Sequence, residues 1–218
     1  MRAFVVAGSP VARRPLRLHP QPGDIVVAAD LGAQHALKWG WTVHLLVGDL
    51  DSLPAATLDD LVASGVETMR VPSAKNQTDT ELALVAALER RPGEIVFCGA
   101  LGGRADHLLA NVLLLAHPAL AAVTASLVDG PETIRLARAT GARVTMKIDG
   151  GRGDLVSLLP LGANAEGVET RDLLYPLRGE TLHLGEARGI SNVISGERAE
   201  VSLMRGSLLV IQTWMGSS

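Results

Sequence analysis

Two carboxylates separated by one leucine, Asp49 and Asp51 of "LLVGDLDSLP", close an apolar run that reads as a buried strand. If "GDLD" stays extended, side chains two apart point the same way and both acids converge on one side. Like charges that converge repel unless a cation lies between them. Carboxylate oxygens with no cysteine nearby suit Mg²⁺, which bridges protein acids to substrate phosphates. The plainer alternative has Asp49 opening a turn and Asp51 or Ser52 capping the next helix.

A second stretch, "GALGGRADHLLANVLLL", combines several features that suit an anion. Gly102 and Gly103 let backbone N–H groups come close to it at the start of a helix, and Arg104 offers two donors in a fork. His107 and Asn111, four apart, share a face opposite Leu109, Val112 and Leu113. Here the alternative is a glycine turn with Asp106 as N-cap and His107 at the surface. In "KNQTD", Lys75 is either a phosphate donor or a loop lysine. Asp79 is either a site acid or a charge that favours the first turn of a helix. Asp30 closes another apolar run, "IVVAAD". No GK[ST] follows the glycines and no GxGxxG occurs, so neither a Walker loop nor a dinucleotide fingerprint is present. Acids and donors gathered at one sheet edge describe metal-assisted phosphoryl or pyrophosphoryl transfer.

These residues need strands that end together. "FVVAG", "DIVVAAD", "VHLLVGD" and "EIVFCGA" read as strands buried on both faces. Between or after them, "LGAQHALKWG", "PAATLDDLVASG" and "TDTELALVAALERR" have helical length and spacing. In the last, Thr78 and Glu81 fit a capping box, and Leu82, Val85, Ala86 and Leu88 fall largely on one side. Strand and helix in alternation predict a mainly parallel sheet with helices on both faces, whose ligands bind beyond the carboxyl ends of the strands. After about Ala139 the texture changes to strands separated by Gly, Asn, Asp and Pro: "ARVTMKI", "DLVSLLPL", "EGVETRDLLYPL", "GETLHLG", "ERAEVSLMRG" and "SLLVIQTW". The expected architecture is an α/β catalytic domain over residues 1–137 and an all-β antiparallel sandwich over 138–218.

Composition narrows the function classes. The 218 residues carry a net charge of -3, and the one basic cluster, "ARRPLR", is short, so no nucleic-acid partner is expected. No apolar run approaches the roughly 20 residues that cross a bilayer, and the first residues run straight into a strand and turn, so a cytoplasmic protein without membrane contact is expected. Cys98, the single cysteine, excludes a disulfide framework and a thiolate zinc cage; within "EIVFCGA" it reads as a buried structural thiol. "NQT" at 76–78 and "RGD" at 152–154 read as chance matches to glycosylation and adhesion motifs. Trp39, Trp41 and Trp214 read as packing residues.

Taken in order and spacing, "VGDLDS", "KNQTDTELAL" and "GALGGRADHLLANVLLL" resemble the thiamine pyrophosphokinases, and "VSLLPLG", "LLYPLRGETL", "RGISNVIS" and "GSLLVIQ" resemble the β domain of the bacterial members. The resemblance implies transfer of the β,γ-pyrophosphate of ATP to the hydroxyl of thiamine, with Mg²⁺, giving thiamine diphosphate and AMP. It also implies a homodimer with thiamine bound at the subunit interface. By motif, Asp49, Asp51 and Asp79 become the metal and phosphate-site acids, and Asp51, Asp79 and Asp106 the catalytic set, with Asp79 or Asp106 as the base. Asp30, Lys75, Gly102, Gly103, Arg104, His107 and Asn111 are placed around the nucleotide, and Ser191 and Asn192 around thiamine. Read by themselves, Ser191 and Asn192 are a turn between strands. The chain departs from the family pattern at Leu31, Asn76, Asp172, Leu174 and Val193.

Two rival readings follow from the same residues. A DxD-type Mg²⁺-dependent phosphohydrolase would give the phosphoryl group to water, but its nucleophile sits right after the first strand, where this chain has "VVAGSP". A nucleotide- or thiamine-binding protein without turnover would keep the fold and use the acids for affinity alone.

Overall fold

A computed structural model describes residues 1–72 and 76–216 and divides the chain into two compact units, Met1–Gly130 and Pro131 onward. In the first unit, β1 (Arg2–Val6), β2 (Ile25–Ala29), β3 (Leu45–Gly48), β4 (Glu67–Arg70), β5 (Glu94–Cys98) and β6 (Thr124–Asp129) form a parallel sheet in the order β6-β5-β1-β2-β3-β4. Four α-helices accompany them among the described residues: α1 (Gly32–Lys38), α2 (Ala55–Ala63), α3 (Asp79–Leu88) and α4 (Ala105–Leu113).

Period-two alternation divides the buried strand residues between two faces. Phe4, Val6, Val26, Ala28, Leu46, Val96 and Cys98 share one core with Ala33 and Ala36 of α1, Leu61 of α2, and the edge-packed rings of Trp39 and Trp41. The opposite face is covered by α3 through Ala83, Leu84 and Ala87, which are buried. That stripe differs from the expected one, because Val85 is exposed; small alanines bring the helix axis close to the sheet, so they form the buried side. Thr78 caps α3 by accepting the Glu81 amide at 3.2 Å. Gly32 lets α1 start against β1, since a Cβ there would overlap the Val6 carbonyl.

The second unit is antiparallel. The long strands β7 (Glu132–Lys147) and β12 (Glu200–Thr213) pair along most of their length. The N-terminal part of β12 also pairs with β9 (Ala165–Arg171), itself joined to β10 (Arg178–Leu182). Its C-terminal part pairs with β8 (Leu155–Pro160), joined to β11 (Asn192–Val193). A register shift between Leu203 and Arg205 lets the one strand serve both sets, and their inward residues meet in a core that includes Val156, Leu158, Val168, Leu182, Val201 and Leu208. The stretches read as two strands, "ERAEVSLMRG" and "SLLVIQTW", are therefore one. The units divide earlier than the 137/138 boundary expected from texture, because that boundary falls inside β7.

Candidate active site

The ends of β2 and β3 lie side by side, so the residues that close them meet. Asp30 follows β2 with a left-handed backbone, φ 45°, and its amide donates to the Val47 carbonyl at 2.9 Å. Asp49 and Asp51 follow β3, separated by Leu50, which is buried and left-handed at φ 65°. The "GDLD" segment is thus not extended; the left-handed leucine, tucked into the core, folds the chain so that the acids still converge. Carboxylate oxygens of Asp30, Asp49 and Asp51 lie within 4.8 Å of one another. The helix-cap alternative does not hold, because Pro54 occupies the N-cap of α2 and Ser52 donates instead to Asp51 at 3.1 Å.

Asp30 is the unexpected member of this trio, having been placed with the nucleotide rather than the metal. One of its carboxylate oxygens is buried without a hydrogen-bond partner among the described residues. Burial first, then the charges of Asp79, Asp49 and Asp51, raise its pKa above the ordinary carboxylate value, with Ser52 partly offsetting the rise. Asp79 opens α3, and its carboxylate faces Gly48 and the Asp30 side chain, 3.4 Å from the point where a Cβ on Gly48 would sit.

A cleft of about 440 Å³ runs from Asp30 and Asp79 to the glycine loop, lined also by Gly8, Ser9, Leu31, Ser52, Thr78, Gly102, Arg104, His107 and Asn111. Leu31, a departure from the family pattern, forms part of its wall. Gly102 and Gly103 have φ of 82° and 72° and pack against Val11 and Pro10, which leaves no room for a side chain at either position. Arg104 is the N-cap of α4, so Asp106 lies inside the first turn rather than capping it. The two form a forked pair, Nε to Oδ1 at 3.1 Å and Nη2 to Oδ2 at 2.6 Å. That contact holds Asp106 down at a pKa of about 2.

Helix α4 is turned as its polar line requires. Asn111, 7% exposed, donates to the Ala100 carbonyl at 3.0 Å, whereas Leu109 and Leu113 are 60% and 52% exposed. Lys75 lies outside the described residues. Cys98 is fully buried, and burial pushes its thiol up, as a structural cysteine requires. "RGD" presents no adhesive carboxylate: Asp154 is buried and accepts the Gly151 and Met215 amides, each at 2.9 Å.

In the C-terminal unit, Ser191 is exposed and left-handed at φ 59°. Asn192 is buried, and its amide group is already engaged: it donates to the Tyr175 carbonyl at 2.7 Å and accepts the Tyr175 and Val193 amides at 3.0 and 2.9 Å. Asp172 accepts the Arg198 amide at 2.8 Å and so secures the 195–198 turn.

Residues 20–127 match the family described as "Thiamin pyrophosphokinase, catalytic domain", and residues 143–208 match "Thiamin pyrophosphokinase, vitamin B1 binding domain". The chain belongs to the thiamine pyrophosphokinase family. It is 28% identical to thiamine pyrophosphokinase of Bacillus subtilis over 210 residues, 96% of this chain and 97% of that protein. The crystal structure of the Bacillus subtilis enzyme superposes with a TM-score of 0.87 at 26% identity, covering 99% of this chain and 100% of that one. A family protein from Enterococcus faecalis gives 0.83 at 28% identity, with 99% and 100% covered. Thiamin pyrophosphokinase from Candida albicans shares the fold, with a TM-score of 0.78 at 16% identity over 98% and 88% of the two chains.

Proposed function

We propose that this chain transfers the β,γ-pyrophosphate of ATP to the hydroxyl oxygen of thiamine, yielding thiamine diphosphate and AMP. The observation that carries this reading is the cleft that runs from Asp30, where it meets the carboxylates of Asp49 and Asp51, past Asp79 to a glycine and arginine loop within the matched catalytic region. Mg²⁺ fits the acidic end: three carboxylates offer hard oxygen donors, and one oxygen of Asp30 is a buried acceptor with no donor among the described residues. Asp30, Asp49 and Asp51 would hold the ion, with Asp79 beside them. The chemistry Mg²⁺ supplies when bound is neutralisation of polyphosphate charge.

The chain's own residues divide the remaining work. Backbone N–H groups of the glycine loop and the N-terminus of α4 face the transferred group with partial positive charge. Arg104 is held ready by Asp106, whose two carboxylate oxygens are both taken up by the arginine fork, whereas Asp79 lines the cleft. Asp79 is therefore our choice of base. Ser191 offers its hydroxyl to thiamine, while Asn192 acts through the Tyr175 backbone that it holds. A homodimer with thiamine at the subunit interface accords with the exposed Leu109 and Leu113 of one unit and Leu174, Tyr175 and Ile190 of the other. No described helix is long and apolar enough to cross a membrane, and we place the protein in the cytoplasm.

The test is a product assay with Mg²⁺ and ATP, with and without thiamine. AMP formed only with thiamine, in step with thiamine diphosphate, is the expected result. ADP or free phosphate released without thiamine would point to hydrolysis, and saturable binding without turnover to a binding protein.

A further inference from the structure

The basic cluster after β1, "ARRPLR", is tied down at its first arginine. Asp129, the last residue of β6, is 2% exposed. Its carboxylate accepts the Arg13 backbone amide at 2.6 Å and Arg13 Nε at 3.1 Å, while Arg13 Nη2 donates to the Asp129 carbonyl at 3.3 Å. The Gly130 amide donates back to the Arg13 carbonyl, and the Leu16 amide to the Gly130 carbonyl. Gly130, at φ 56°, has Arg13 packed 3.1 Å from where a Cβ would lie. Asp129 is buried but the Arg13 side chain is half-exposed, so the ion pair adds little net stability; its value lies in fixed geometry.

What it fixes lies four residues back. Ser9 donates through Oγ to the Leu101 carbonyl at 2.6 Å and through its amide to the Gly99 carbonyl at 3.0 Å. Pro10 and Val11 form the surface on which Gly103 and Gly102 rest. Two supports therefore meet at Ser9–Val11: the Arg13–Asp129 pair from one side and His35 of α1, 2.8 Å from the Ser9 carbonyl, from the other.

We propose that Asp129, acting through Arg13, is a positioning residue that sets the glycine loop for the nucleotide phosphates. It does not line the cleft. The proposal rests on the placement of ATP in the 440 Å³ cleft given above.

The experiment measures binding of the α,β-imido analogue of ATP, which cannot release AMP, with Mg²⁺ by calorimetry for wild type, Arg13→Ala, Asp129→Asn and the double variant. It is accompanied by amide NMR of the free proteins. The expected result is binding weakened about tenfold in each single variant and no further in the double, with partial rescue by Arg13→Lys and thiamine affinity within twofold. The Gly102 and Gly103 amide resonances should move in Arg13→Ala while those of β1 stay. Folded variants that bind the analogue within twofold of wild type overturn the proposal, as do unmoved glycine resonances. A wild type that binds the analogue yet makes no thiamine diphosphate would defeat the proposed reaction and leave the positioning role standing.

Discussion

Replacing Asp30 by Asn tests the acidic site through stability rather than rate. Asparagine tolerates the left-handed backbone at this position and removes only the charge. In the free protein that charge is costly, being half-buried with carboxylate oxygens of Asp49 and Asp51 within 4.8 Å. Two unit charges 4.8 Å apart repel by about 0.9 kcal/mol in water and roughly four times as much at an effective dielectric constant of about 20. With two such neighbours, partial burial and ordinary salt, relief of about 1–3 kcal/mol is expected, raising the melting temperature by roughly 3–9 °C. The assay is thermal unfolding followed by circular dichroism at pH 7.5, in EDTA and in millimolar Mg²⁺. Asp30→Asn should be the more stable protein in EDTA, and wild type should gain much more from Mg²⁺, because only wild type keeps the full acidic set. Turnover should fall by on the order of 100-fold. A variant less stable than wild type in EDTA, or equal stabilisation of both by Mg²⁺, would refute the reasoning.

The other expectations follow from neighbouring features. Because Asp30 has a raised pKa in the folded state, its proton-linked stability is present below the unfolded value of 3.8 and is lost as pH rises through the folded one; the EDTA gap between wild type and Asp30→Asn should therefore shrink as pH is lowered towards 4, read from melting curves at successive pH values. Arg104→Gln should return the Asp106 pKa from about 2 towards 3.8, measured by carboxyl NMR titration. Asn192→Ala removes three hydrogen bonds from a buried site and should cost about 1–3 kcal/mol in urea unfolding, with the thiamine requirement rising more than the ATP requirement; equal rises would count against thiamine at that loop. Gly32→Ala should cost about 3 kcal/mol or more, or prevent soluble expression, because its methyl group would overlap the Val6 carbonyl.

The acids were legible because each closes an apolar run, and closing residues of a parallel sheet share one edge. Their grouping was less so. Asp30 joins Asp49 and Asp51 because β2 and β3 are neighbours and because Asp30 and Leu50 adopt left-handed backbones, neither of which periodicity reveals. Strand β4, "ETMR", escaped notice as an exposed edge with no apolar run, and β6, "TASLVD", because its first half is polar. Gly206 looked like a turn and is instead a residue of β12 at φ 101°, where a Cβ would come within 2.5 Å of the Asn164 carbonyl oxygen. The hold of Asn192 on Tyr175 spans 17 residues and depends on tertiary contact, so no local pattern signals it.

The pairing of β7 with β12 also fixes an order of events during synthesis. Every strand of the first unit has been made once Asp129 has been added, so that sheet can close while the rest of the chain is still being translated. Strand β7 follows at once, but its antiparallel neighbour begins only at Glu200. At about 5–20 residues per second, β7 waits several seconds with an unpaired edge and apolar side chains that have no partner. That interval, rather than the finished fold, is where this chain is most exposed to aggregation, and where slower translation or a missing chaperone would reduce its yield.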